Sequence, residues 1–345
     1  APFVVVSGAA KVANLDADKL DGQTGADYHD AALLTGVLPV AVVAADPNAD
    51  RIVFWDDSAG AYAFLAPTGL TITGTNLIGP IAAPCGRLTL TTGTPVTSAD
   101  VTAAGTLYWA LYKGNTAPIY NGSAWQVFAL AELSIAVPAA ANQVYDVFLD
   151  YNAGVPALSL TAWTNDTTRA TALTTQDGVL VLTGTLTKRY VGTVRTRTAS
   201  QLNDSVLYRH VWNYYHRVPR PILVTDATAS WTYTTATVRQ ANGAAANQAD
   251  IVIGVAEVQI DLTLLAIVIN DTAATPSSGI GEDSTTAFTN GGVWTGAAFR
   301  AVLTTRLVKY PAIGRHYYSW NEYSTVSGTT TWYGTNTVGG VTASG

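Results

Sequence analysis

Acids, histidines and arginines are the residues of this chain whose spacing could do chemistry, and they are few. Only 12% of the 345 residues are charged, 24 Asp and Glu against 18 Lys and Arg, for a net charge of -6. Two carboxylate pairs are adjacent, Asp56-Asp57 and Glu282-Asp283. Glycoside hydrolysis needs two carboxylates facing each other across a cleft, whereas neighbours on a strand point to opposite faces. Asp56-Asp57 therefore reads as a solvated turn. Glu282-Asp283 reads as part of a Gly/Ser/Thr-rich loop, with a ligand or ion contact as the lesser reading.

The four histidines are His29, His210, His216 and His316, and none completes a His-Glu-x-x-His metal motif. His210 and His216 are six residues apart, a spacing that does not stack them on one helix face, so they read as packing or interface groups. The single Cys85 offers neither a metal cluster nor an intrachain disulfide. Gly-x-Ser-x-Gly, P-loop and dinucleotide glycine patterns are all absent. The expectation is a chain with no catalytic residue, no metal and no cofactor.

Two stretches carry a case for binding. Lys188–Arg220 holds seven of the 18 bases (Lys188, Arg189, Arg195, Arg197, Arg209, Arg217 and Arg220) against one acid, Asp204. Tyr190, Tyr208, Trp212, Tyr214 and Tyr215 are interleaved with them. Basic and aromatic residues together resemble a nucleic-acid surface. An acidic chain lacks the broad basic face that phosphate neutralisation needs, so nucleic acid is not an expected partner. Arg209, Trp212, Tyr214, Tyr215 and Arg217 are instead expected at an interdomain or intersubunit seam, where arginine stacks on rings and pairs with carboxylates. The second stretch is the aromatic C-terminal run. Tyr317, Tyr318, Trp320, Tyr323, Trp332 and Tyr333 are the candidate receptor-binding residues, because aromatic rings with polar tips suit glycan contact. Core or trimer packing is the competing expectation for the same residues.

The elements that must position these groups are strands. The chain has 49 Thr, 17 Tyr and 9 Trp but only 5 Lys, and is 48% apolar, a composition for sheets rather than disorder. So few charges on so long a chain also imply that partner chains cover part of its surface. No apolar run reaches the roughly 18 residues of a spanning helix, and the opening residues lack the basic and apolar regions of a signal peptide. Membrane insertion is not expected.

The first 80 residues are broken by turn formers, with one clear hairpin: Arg51–Trp55 and Ala61–Leu65 around Asp56-Asp57-Ser58-Ala59-Gly60. From about Pro84 the strands lengthen. Asn121-Gly122, between Thr106–Tyr112 and Ala124–Leu130, is the strongest short hairpin signal. Ser205–Val218 is the one place where helical spacing competes, with Leu207, His210, Val211, Tyr214, Tyr215 and Val218 in register and Pro219 as a stop. Further strands follow, among them Val258–Ile269, whose second half is apolar on both faces. Arg315–Thr325 and Thr329–Tyr333 are expected to pair as a final hairpin across Val326-Ser327-Gly328.

Residues 14–22, Asn14-Leu15-Asp16-Ala17-Asp18-Lys19-Leu20-Asp21-Gly22, with Gly25, Tyr28 and Leu34-Thr35-Gly36-Val37-Leu38-Pro39, resemble the shaft segments of bacteriophage tail fibres. The hairpin from Arg51 to Gly60 is similar to a recurrent element of the same proteins. Trp163–Ala170, Trp212–Val218, Trp231–Thr235 and Gly314–Tyr318 are similar to phage virion proteins described as tail fibre or structural protein.

The resemblance implies an all-β homotrimer. Residues 1–80 would form an attachment and shaft segment, packed through Leu15, Leu20, Tyr28 and the hairpin's Phe54, Trp55, Tyr62 and Phe64. Residues 81–204 and 221–345 would be the trimer's β-rich heads. Strand spacing reads the first as sandwich-like and the second as sandwich- or jelly-roll-like, and the helical spacing noted above makes 205–220 a short helical connector between them. The implied function is virion attachment to a host surface glycan or other receptor, with the N-terminal region bound to other virion proteins. A capsid decoration without receptor role is the alternative, and a polysaccharide depolymerase a lesser one. The implied location is the virion, assembled in the host bacterial cytoplasm.

Overall fold

Threonine, valine and aromatic residues stiffen at χ1 and pack well on a pleated surface, so this composition drives the chain into strands. The computed structural model describes Ile52–Asp56, Ala61–Leu65, Thr71–Thr73, Asn76–Ile78, residues 81–335 except 153 and 296–298, and Ala343–Ser344. The chain is all-β. Among the described residues the sole helical element is the three-residue 3-10 turn Ala241–Gly243.

Two compact units divide at Pro80, Ala1–Pro80 and Ile81–Gly345. In the first, Ile52–Asp56 pairs antiparallel with Ala61–Leu65 in the expected hairpin register, Trp55 opposite Tyr62 and Phe54 opposite Ala63. Thr71–Thr73 and Asn76–Ile78 form a second short pair. The packing expected of the side chains of Phe54, Trp55, Tyr62 and Phe64, like that of Leu15, Leu20, Tyr28 and His29, lies outside the described residues.

The second unit has two apolar cores that share one layer. A 14-stranded sheet contains Val144–Asn152, Thr185–Thr198, Gln248–Ile253, Gly314–Tyr323 and Ser277–Glu282. On one side it meets a three-stranded sheet (Leu133–Ala136, Thr106–Ala110, Arg87–Thr89) and the hairpin Thr116–Tyr120 with Trp125–Ala129, burying Leu107, Trp109 and Ile119. On the other it meets a five-stranded sheet built on Ile260–Asn270, burying Leu262, Leu264, Val268 and Trp332. Strand Val144–Asn152 serves both cores by alternation: Val147 and Leu149 enter the first, Val144 and Phe148 the second. Two cores therefore exist, as two sandwiches need, yet the division at 204 and 221 does not separate them.

Other sequence expectations are corrected by long-range pairing. Asn121-Gly122 does turn a hairpin, with Asn121 Oδ1 accepting from the Ser123 and Ala124 amides and Gly122 at φ 100. Its first arm is Thr116–Tyr120; Thr106–Ala110 pairs elsewhere, with Leu133–Ala136 and Arg87–Thr89. Val258–Ile269 keeps alternating to its end. Leu265, Ile267 and Ile269 are half-buried on its outer face while Leu262, Leu264, Ala266 and Val268 are buried.

Close approach at Gly254 binds the shared layer together. A Cβ there would run into Tyr190 Oη, Thr193 Oγ1 and the Trp212 ring. Tyr190 and Thr193 are fully buried and hydrogen-bonded to each other at 2.7 Å, so neither can yield freely. Gly254→Ala is expected to lose about 2 kcal/mol of stability, as overpacked cores do, read as a lowered denaturant midpoint.

Candidate functional site

Residues 205–222 contain no helix. Tyr208–Arg209 pairs in parallel with Asp250–Ile251, and Val211–Asn213 pairs antiparallel with Gly192–Val194. The segment runs where the two cores meet, so Leu207 and Tyr214 pack on one and Val211 and Tyr215 on the other. Unpaired edges of the large sheet at that boundary offer backbone hydrogen bonds, which outweigh a helical periodicity that tertiary packing would not use. Asn213 reinforces the choice: its side chain accepts from the Leu88 amide at 2.7 Å and donates to the Leu88 carbonyl at 3.1 Å. His216, at φ 49, then turns the chain, and Pro219 and Pro221 keep it extended.

This segment forms one wall of a cleft of about 520 Å³. Ile222, Ile251, Ile253 and Leu262 are mostly buried side chains of its lining, with Trp212 beside them. Four lining residues are arginines, Arg87, Arg209, Arg217 and Arg220, and one is an acid, Asp261. Of the expected seam residues, Arg209, Trp212 and Arg217 line this cleft, while Tyr214 and Tyr215 pack edge to face at 4.8 Å behind it. Arg217 lies over the Trp212 ring, 4.8 Å from its centroid, and pairs with Glu257. Arg87 and Arg220 had no spacing signal that could have placed them together, 133 positions apart.

The carboxylates of the same unit are largely committed to internal partners. Asp204 accepts from Arg209 Nη1 at 2.9 Å and from Arg220 Nη2 at 3.0 Å. Asp146 accepts from Arg169 Nε at 2.6 Å and from Thr193 Oγ1 at 2.8 Å; burial still raises its pKa. Glu322, fully buried, accepts from Trp231 Nε1 and Arg239 Nε, each at 2.7 Å, and burial raises its pKa as well. Glu282 accepts from Lys309 Nζ at 2.5 Å and Tyr318 Oη at 3.1 Å. Asp283, at φ 52, accepts from the Tyr317 amide at 3.0 Å and meets His316 Nδ1 at 2.7 Å. The Glu282-Asp283 pair thus fastens a turn to the adjacent strand.

His210 and Asp250 form a buried pair, His210 Nε2 to Asp250 Oδ1 at 3.0 Å, with Arg315 Nη2 on Asp250 Oδ2 at 2.5 Å. Burial lowers the His210 pKa and holds the ring neutral; Nε2–H donates and Nδ1 has no partner, as a neutral tautomer allows. Burial opposes ionisation of Asp250, but the His210 hydrogen bond and the Arg315 guanidinium outweigh it and hold the carboxyl at about 2. His216 Nε2 meets the Pro84 carbonyl at 3.1 Å. No group of three metal-ligating side chains occurs among the described residues.

Half of the aromatic run is core, and its two strands are not a hairpin. Gly314–Tyr323 pairs with Gln248–Ile253 and Ser277–Glu282 in the large sheet. Thr330–Tyr333 pairs with Ser230–Tyr233 and Ile267–Asn270 in the other sheet. Tyr318, Trp320 and Trp332 are 4%, 3% and 0% exposed, inside the second core, which removes them as receptor contacts. Burial raises the Tyr318 hydroxyl pKa far above its usual range. Tyr317, Tyr323 and Tyr333 remain half-buried. Alternation failed as a guide because the 283–289 loop covers the second face too: Asn321 Nδ2 donates to the Ser284 and Ala287 carbonyls.

No protein-family pattern matches the chain, and neither does any curated protein sequence. Among solved structures it is similar to the insecticidal delta-endotoxin Cry8Ea1 from Bacillus thuringiensis. That match has 8% identity over 76% of this chain and 52% of the other, with a TM-score of 0.23. A Cry1Da tryptic core variant from the same organism matches at 5% identity over 68% and 49%, with a TM-score of 0.19. The mosquito-larvicidal Cry4Aa toxin matches at 10% over 70% and 48%, with a TM-score of 0.18. The chain spans about half the length of each, and likenesses this slight carry no statement about function.

Proposed function

We propose that this chain is a virion fibre protein that works as a trimer and attaches to a host surface by binding. The observation that carries the reading is the contrast between its carboxylates and its cleft. The buried acids are held by guanidiniums, amides and hydroxyls, as structural ion pairs are, while a ligand-sized concavity sits open beside Trp212. That is the arrangement of a rigid frame with a recognition surface. The fibre-like residues 14–39 and the short paired strands of the first unit add support, since two-stranded hairpins need a partner to be stable in water. Three sites on one trimer, repeated over a virion, would multiply a weak contact into firm attachment.

Light scattering on the purified protein tests the assembly. The expected mass is three times 36.1 kDa. Labelled protein should also decorate candidate host cells and compete with virions for them. A stable monomer overturns the fibre reading; loss of capsule from the treated cells replaces attachment by depolymerisation.

A further inference from the structure

We infer that the Trp212 cleft binds a compact carboxylate ligand with an apolar substituent, of the N-acylated sugar-acid class. The carboxylate and the apolar part of the ligand follow from the charge and chemistry of the walls; that it is a sugar acid of a host surface glycan rests on the attachment reading above.

The charge argument begins with an imbalance. Among the described residues Asp204 is the one carboxylate ion-paired to the group Arg87, Arg209 and Arg220, and it accepts from two of them, while Asp100 offsets part of the charge of Arg220. Arg87 has no carboxylate of its own: Nε donates to the Pro95 carbonyl at 3.0 Å and Nη1 to that of His216. Its Nη2 carries no hydrogen bond among the described residues. Arg220 Nε is buried without an acceptor. Burial lowers the pKa of both Arg87 and Arg220, with a smaller lowering from Arg220 on the first and from Arg209 on the second. On the opposite wall Asp261 is neutralised by Arg306 at 2.5 Å, so it does not offset the arginines.

A surplus of guanidinium at the mouth of a partly desolvated cleft favours an anion, and the planar fork matches a carboxylate. The floor sets a second requirement. Ile222, Ile251, Ile253 and Leu262 present no donor or acceptor, so the rest of the ligand must offer apolar surface there. A strongly hydrated phosphate dianion meets the first requirement and fails the second. Arg217 lines the cleft, its guanidinium held by the Trp212 ring and Glu257. Its Nη1 carries no hydrogen bond among the described residues, which makes it a donor for the ligand's charge.

Calorimetric titration of the full chain tests this with four probes: the methyl glycoside of N-acetylneuraminic acid, with its carboxylate free, glucuronate, N-acetylglucosamine and glycerol phosphate. The N-acetylated acid should bind most tightly, and its affinity should fall with added salt. Arg217→Gln should weaken it about ten-fold, the loss of one charged hydrogen bond. Glu257→Gln, which frees Arg217 from its competing partner, should tighten it. Melting temperatures of both variants near wild type establish that the fold is intact. Equal affinity for the neutral sugar, preference for the phosphate, or indifference to both substitutions overturns the assignment. A free short-chain acid such as butyrate, binding as tightly as the sugar acid, overturns the sugar as the source. Host-cell binding measured in parallel separates the two readings. Cells bound equally by wild type and Arg217→Gln, with no sugar-acid binding, sink the cleft and spare attachment. Sugar-acid binding without any cell binding upholds the cleft and sinks attachment.

Discussion

Asp250→Ala is expected to destabilise the second unit by about 3–5 kcal/mol at pH 7, the usual cost of breaking one side of a buried ion pair. Asp250 sits on Gln248–Ile253, between Tyr208 on one neighbouring strand and Tyr317 on the other. Its removal strips two donors at once: Arg315, bound through Nε and Nη2, and the fully buried His210 Nε2–H. His210, fully buried, has no water to turn to, and Arg315 is only partly exposed.

The effect carries a pH signature. The folded Asp250 pKa, about 2, lies below the usual 3.8, so its contribution is complete above pH 3.8 and is lost as pH falls toward 2. The gap between wild type and Asp250→Ala should therefore narrow in that window. His210 acts at a higher one. Its folded pKa is lowered from 6.5, so below that pH the unfolded chain takes up a proton the folded ring refuses, and wild-type stability declines. Urea midpoints measured from pH 7 to pH 2 read both. A flat difference across the acid range would refute the carboxylate as the source.

Trp332→Ala should cost a similar 3–5 kcal/mol, typical of emptying a large aromatic site in a core. Trp332 is fully buried, opposite Trp231 on one side and Val268 on the other. Trp332→Phe should cost much less. It keeps most of the apolar volume and removes an indole N–H that is buried without an acceptor. The comparison also decides between the two expectations the aromatic run raised. If Trp332 packs the core, the phenylalanine variant keeps full host-cell binding while the alanine variant loses stability. Loss of cell binding in a stable Trp332→Phe protein would restore it as a contact residue.

Part of the candidate site was legible in the chain. Arg209, Trp212 and Arg217 stand out because bases and rings crowd into a short stretch, and all three line the cleft. Arg87 and the apolar floor from Ile251 to Leu262 carry no such mark. They reach the site only because Arg87–Thr89 lies in the three-stranded sheet of the first core and Gln248–Ile253 pairs with Tyr208–Arg209. The ion pairs were equally silent: Arg239 and Glu322 are 83 residues apart, Arg315 and Asp250 65.

Sequence alone determined that the chain is all-β, since χ1 stiffness, alternation and turn chemistry act within a few residues. The strands named above fall within two residues of observed ones, though fewer than half of the 28 described were named, and the sequence placed the hairpin Ile52–Leu65 and the turn at Asn121-Gly122. Only the tertiary structure decided which strands pair, that Ser205–Val218 carries two short strands and no helix, and which aromatic rings are core. The reason is that backbone hydrogen bonds are the same for every residue, so a strand cannot choose its neighbour locally. That choice is made by burial on both faces at once, and Gly314–Tyr323 shows it. Its alternation promised one open face, and a loop whose carbonyls lie 34 and 37 residues upstream of Asn321 closed it.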